Sequence, residues 1–116
     1  MDLFAGISVR DYEAAKPWYE RLFGSEPAFV AHKTECVWEF GEHRFVALNE
    51  DPERAGYAAH TIFVDDLEAV VGDIATRGIE PAKRETYGNG VRKATYRDSD
   101  GNEIGFGGAP LERATD

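Results

Sequence analysis

Few residues of this chain have the types and spacing that covalent chemistry needs. There is no Gly-x-Ser-x-Gly, no glycine loop that would cradle a phosphate, and no His-Glu-x-x-His on a helix, so three common hydrolytic and phosphoryl-transfer sites are absent. Cys36 has Lys33 as its only basic neighbour along the strand and reads as a small buried apolar residue rather than a reactive thiol. His60 alternates with Ile62 and Val64 and shares their face, while His32 and His43 read as ordinary strand and turn residues. Glu50 shares the face of Val46 and Leu48 and is assigned to a linker; Glu103 is the one charged group on its face of the last strand. Glu103 or Tyr96 could act as an acid or base in a metal-free isomerase. What the chain has in quantity is aromatic surface: seven Phe, five Tyr and two Trp. Cys36, Trp38 and Phe40 share one strand face, opposite Val37 and Glu39, and carry more aromatic area than a solvated strand requires. Such rings stack on planar guests and attract cations.

Composition narrows the partners. At 116 residues and 42% hydrophobic the chain suits one folded domain. Its 22 acidic against 13 basic residues give a formal charge of −9, which repels polyanions and disfavours nucleic acid. The same charge also serves solubility, and it accommodates a neutral or cationic small molecule. One cysteine allows no intrachain disulfide, the N-terminus lacks the basic and apolar regions of a signal peptide, and no run approaches the ~18 apolar residues of a membrane span. The expectation is a cytoplasmic protein with no membrane association.

The elements that must position these residues are written twice. Ile7, Val9, Asp11, Glu13 and Ala14 recur as Ile62, Val64, Asp66, Glu68 and Ala69 at an offset of 55; after a slip of one residue, Gly24, Glu26 and Pro27 recur as Gly78, Glu80 and Pro81. Each copy reads as an apolar strand, a capping Asp, an amphipathic helix, a Gly stop and a Pro leading into extended chain. Strands are expected at 3–9, 27–32, 35–40, 44–49, 58–64, 79–84, 91–97 and 103–106, and helices at 12–23 and 66–77, with Pro17 making the first helix start late or bend. A tight turn is expected at Gly41-Glu42, and Asp98-Ser99-Asp100-Gly101-Asn102 is a second hairpin signal. The result is an α+β fold of two tandem βαβββ modules: module 1 over about 3–50, a linker over 50–57, module 2 over 58–108 and a loose tail over 109–116.

This double layout, together with Trp18-Tyr19-Glu20-Arg21-Leu22-Phe23-Gly24 and the run from Asp98 to Phe106, resembles the vicinal oxygen chelate superfamily. That group contains glyoxalase I, extradiol dioxygenases and bleomycin-resistance proteins. The resemblance covers Leu3 to about Pro110, with Ser99 standing where the family usually has Pro. It implies two modules curling into a cup-like mixed sheet with helices on the outer face, a ligand in the concave face, and in the enzymes a divalent metal held by His, Gln or Glu. Counted from the capping Asp residues, those metal positions fall on Phe4, Ala47, Ala59 and Gly105, none of which can ligate. No metal or other cofactor is therefore expected.

The cup-facing set then comprises Phe4, Gly6, Ser8, Phe45, Ala47, Asn49, Thr61, Phe63, Glu103 and Gly105. Trp38 is expected to join from the third strand, and Tyr96 or its neighbours Thr95 and Arg97 from the seventh. The ligand-binding residues expected are Phe4, Ser8, Trp38, Phe45, Asn49, Phe63, Tyr96 and Glu103. The resemblance points to a metal-independent binder of the bleomycin-resistance type, sequestering a planar or cationic ligand, with antibiotic resistance as one use and a homodimer as the implied assembly. The alternative is a metal-dependent glyoxalase- or dioxygenase-type enzyme: a lyase, an isomerase or a ring-cleaving oxygenase. A scaffold with no ligand is a further reading.

Overall fold

A computed structural model describes residues 1–111. The elements run β1 (Leu3–Val9), α1 (Tyr12–Phe23), β2 (Phe29–His32), β3 (Glu35–Gly41), β4 (Arg44–Glu50), β5 (Ala59–Phe63), α2 (Leu67–Thr76), β6 (Lys83–Thr86), β7 (Arg92–Arg97) and β8 (Glu103–Gly108). They form two four-stranded mixed sheets of matching order, β1-β4-β3-β2 and β5-β8-β7-β6. In each, the first strand pairs in parallel with the fourth, and the other pairs are antiparallel. The repeat in the sequence is thus a repeat of α+β architecture.

Both helices start where a side chain replaces missing backbone partners. Asp11 accepts from Ala14 N at 3.1 Å and Asp66 from Ala69 N at 3.0 Å. Glu50, which ends β4 rather than starting the linker, accepts from Tyr12 N at 3.1 Å. With those donors satisfied, α1 begins at Tyr12 and does not start late. Pro17 lies inside it and forfeits only one intrahelical bond. Gly24 ends α1 at φ 76°, and Gly78 follows α2 at φ 88°.

Most strand limits differ from expectation by a residue or two: β2 starts at Phe29 rather than 27, β4 runs on to Glu50, β5 covers 59–63 rather than 58–64 and β7 starts at Arg92 rather than 91. β6 covers 83–86 rather than 79–84, because Ile79 is buried and Pro81 has no N–H to give a ladder. β8 continues through Gly107 and Gly108, and β3 reaches Gly41, so that the β3–β4 turn falls on Glu42 and His43. Residues 109–111 are outside any element; the remainder of the expected tail, 112–116, lies outside the described residues.

One face of each sheet is covered by its helix. In the first, Ile7, Val9, Cys36, Trp38, Val46 and Leu48 meet Tyr12, Tyr19 and Leu22; in the second, Ala94, Tyr96, Ile104 and Phe106 meet Leu67, Val71 and Ile74. The sheets adjoin at β1 and β5. There Asn102, fully buried, accepts from Ala58 N at 2.9 Å and donates to Ser8 O at 2.9 Å and to Asp98 at 2.8 Å. Asp98 also accepts from the Tyr19 hydroxyl at 2.7 Å. The Asp98–Asn102 turn therefore ties β1, β5 and α1 together. Arg77 adds a second tie, donating to the terminal carbonyls of α1 at Arg21 and Leu22.

Candidate functional site

Among the described residues, no helix or further sheet covers the faces opposite the helices. On the first sheet, cross-strand register aligns Phe4, Phe45 and Glu39 in one row, Gly6, Ala47, Val37 and Phe29 in the next, and Ser8, Asn49 and Glu35 in a third. Phe4 and Phe45 stack at 4.6 Å with planes 12° apart, and Phe4 is still 50% exposed. Ser8 donates to Asn49 Oδ1 at 2.8 Å. This face is aromatic and acidic.

On the second sheet, Phe63, Gly107, Lys93 and Glu85 form one row, Thr61, Gly105, Thr95 and Lys83 another, and Ala59, Glu103 and Arg97 a third. Phe63 is 63% exposed. Gly105 and Gly107 leave the floor bare, and Lys93 and Phe63 lie over them. Arg97 bonds Glu103 at 2.5 Å, which holds the Glu103 carboxyl below the usual carboxylate range. This face is aromatic with a surplus of cations.

Of the eight residues expected to meet a ligand, Phe4, Ser8, Phe45 and Asn49 lie on the first open face, and Phe63 and Glu103 on the second. Trp38 and Tyr96 do not. Trp38 pairs with Val46 and so faces α1, where its ring lies 5.2 Å from Phe23 and its Nε1–H donates to Ser25 O at 3.0 Å. Tyr96 pairs with Ile104, is fully buried, and packs edge-on to Phe106 at 5.8 Å. Burial pushes its phenol up from the ordinary value and unfits it as an acid or base near a ligand. Thr95 and Arg97 take the place on the open face. Glu35, Val37 and Glu39, with Lys83 and Lys93, were outside the expected set. The hairpins hold the missing signal: a turn that pairs Glu39 with Phe45, or Arg97 with Glu103, assigns every second residue of the neighbouring strand to the same face.

His60 faces the helix side with Ile62, and its Nε2–H donates to Gly6 O at 2.8 Å, joining the two sheets. Where β1 starts and β5 ends, the seam opens into a cavity of about 850 Å³ lined mainly by apolar residues, among them Ala5, Phe23, Phe45, Ile62 and Phe63. Phe45 and Phe63 thus connect the cavity to the two open faces.

The positions at which the resemblance puts metal ligands, Phe4, Ala47, Ala59 and Gly105, all lie on the open faces, and none has a donor side chain. Among the described residues no three His, Cys, Asp or Glu side chains form a group that could hold a metal ion. The residues present do not fit the family's metal.

The layout of two matched sheets around one seam defines a class, and comparison with known proteins gives it a family. Residues 3–106 match the family model for the Glyoxalase/Bleomycin resistance protein/Dioxygenase superfamily, and the chain belongs to that superfamily. The chain is 52% identical to a glyoxalase / bleomycin resistance protein from Catenulispora Acidiphila of known crystal structure, with a TM-score of 0.91 over 95% of this chain and 99% of that one. A bleomycin-binding protein solved in complex with bleomycin is 18% identical, with a TM-score of 0.75 over 94% of this chain and 98% of that one. A lactoylglutathione lyase from Agrobacterium tumefaciens is 20% identical, with a TM-score of 0.70 over 94% and 93%. These last two show the shared fold. None of the curated proteins matches the chain.

Proposed function

We propose that this chain is a metal-independent small-molecule binder of one two-module domain, acting in the cytoplasm and holding a planar or cationic guest against the aromatic open faces of its sheets. The observation that carries the reading is Phe4: a stacked, half-exposed ring occupies a position where the family's enzymes would need a metal donor. Glu35 and Glu39 on the same face favour a guest with cationic character, which a ring face also attracts by ~0.5–2 kcal/mol. Drug sequestration, as in antibiotic resistance, is one use of such a binder. The bleomycin-binding neighbour supports it, while the lyase neighbour keeps the enzyme reading in view.

Two copies are proposed to pair so that each open face is covered, leaving the guest between subunits. Elemental analysis of protein purified without a histidine tag, paired with melting in divalent cations and in chelator, tests the metal-independent reading. The expected result is substoichiometric metal and no metal-dependent rise in melting temperature. Stoichiometric metal, with stabilisation of ~2.7 kcal/mol at a hundredfold excess over its Kd, would establish the metal enzyme instead.

A further inference from the structure

The second sheet's open face does not match a purely cationic guest. Three cations lie on it, and two have partners: Lys83 pairs with Glu85 at 3.4 Å, and Arg97 with Glu103 at 2.5 Å. Lys93 is half-buried and is in no ion pair or hydrogen bond among the described residues. The nearest carboxylate in register, Glu85, is held by Lys83 and also accepts from the Tyr87 hydroxyl at 3.3 Å.

The position of the Lys93 head follows from glycine. A Cβ on Gly105 would sit 2.5 Å from Lys93 Cε, 3.5 Å from its Nζ and 3.4 Å from Thr61 Oγ1. Only a residue without a side chain lets the lysine stem lie across the floor. The ammonium and a hydroxyl therefore converge on one point above Gly105, with Thr95 in the same row and the exposed Phe63 ring in the next. An ammonium drawn partly out of water has no carboxylate at ion-pair distance among the described residues; Glu103, whose charge Lys93 does feel, is bonded to Arg97, so a guest carboxylate would supply the charge-assisted hydrogen bonds that Lys93 lacks.

We infer that the open face of the second sheet carries an anion site, built from Lys93 Nζ and Thr61 Oγ1 over Gly105, that takes the carboxylate of a planar aromatic guest stacked on Phe63. The inference rests on the small-molecule-binding reading and gives the guest an anionic end. It sets beside the net charge a local difference: a chain at −9 overall carries Lys83, Lys93 and Arg97 together on this face.

Three probes of one shape separate the outcomes: naphthoate, neutral naphthamide and naphthylmethylammonium, titrated calorimetrically into the full chain, Lys93→Met and Gly105→Ala. The methionine keeps the stem and removes the charge, and the alanine methyl displaces the stem. Naphthoate is expected to bind more tightly than the amide, to lose about tenfold or more in affinity in either variant, and to weaken with salt, while the amide changes little. Naphthoate no tighter than the amide in the wild-type chain, or unchanged in Lys93→Met, would overturn the anion site while leaving the planar-guest reading standing. Weakened self-association of Lys93→Met with no change in naphthoate affinity would overturn it too, by assigning Lys93 to a subunit contact. Binding of none of the three probes would overturn the anion site and the binder reading together.

Discussion

At the residue scale, the deepest polar groups of the protein are structural. Asn102 has all its bonds directed inward, to Ser8, Ala58 and Asp98. Replacing it with Ala strands a buried N–H and a buried C=O, each costing ~1–3 kcal/mol, so Asn102→Ala should lower unfolding free energy by about 3 kcal/mol in urea. The tyrosines make a second, pH-dependent statement. Burial raises the phenols of Tyr19, first of all, and of Tyr12 and Tyr96 above their ordinary value of 10.0, and the Asp98 carboxylate raises Tyr19 further. The folded chain thus keeps protons that the unfolded chain releases above pH 10. The stabilisation is complete below that pH and is lost as pH rises beyond it, by ~1.4 kcal/mol per pH unit for each tyrosine that stays protonated. Alkaline denaturation should therefore be steep above pH 10, and Tyr19→Phe should flatten it; an unchanged slope in that variant would sink the argument.

At the element scale, β3 and β7 show what a strand pattern alone omits. Alternation correctly separates Cys36, Trp38 and Phe40 from Val37 and Glu39, but it does not say which set faces the helix. Aromatic content suggested a ligand face. The deciding fact is non-local: α1 presents Tyr19 and Phe23, and Trp38 fills the space between them and the sheet. On β7, Tyr96 is drawn to the core for the same reason, beside Phe106. β1, β4, β5 and β8 were legible because each has an aliphatic residue or stripe on the helix face, while its other face mixes small and polar residues with at most one Phe, as in Ile7 and Val9 against Phe4, Gly6 and Ser8. The consequence is measurable. Trp38→Ala should cost about 3–5 kcal/mol through a core cavity. Phe4→Ala should change stability by less than ~1 kcal/mol and act on ligand affinity. Equal stability losses in the two variants would put Phe4 in a core it does not occupy here.

At the scale of the whole molecule, the internal repeat, the capping Asp residues and the glycine stops made two α+β modules readable from the chain. The seam between them was not, because Asn102, Arg77 and His60 act across 54 to 94 residues with no local pattern to mark them. The two modules lie side by side over 55 × 30 × 25 Å with a radius of gyration of 15.0 Å, whereas a compact chain of this length has roughly 13 Å. The surplus reflects two open faces that a second globular layer would otherwise cover. Phe4, Phe29 and Phe63 stand 50%, 47% and 63% exposed on them, an apolar surface of the kind that marks an interaction site. A two-fold dimer would use such a surface twice, so one charged substitution enters the interface at two places. Sedimentation is expected to show a dimer at micromolar concentration, with a melting temperature that rises with protein concentration. Phe29→Asp, on the open face but away from Phe4, Phe63 and Lys93, should shift the protein toward monomer while its secondary structure is retained. A wild-type chain that sediments as a monomer throughout, with a concentration-independent melting temperature, would leave the open faces to the ligand alone and rule out a shared site.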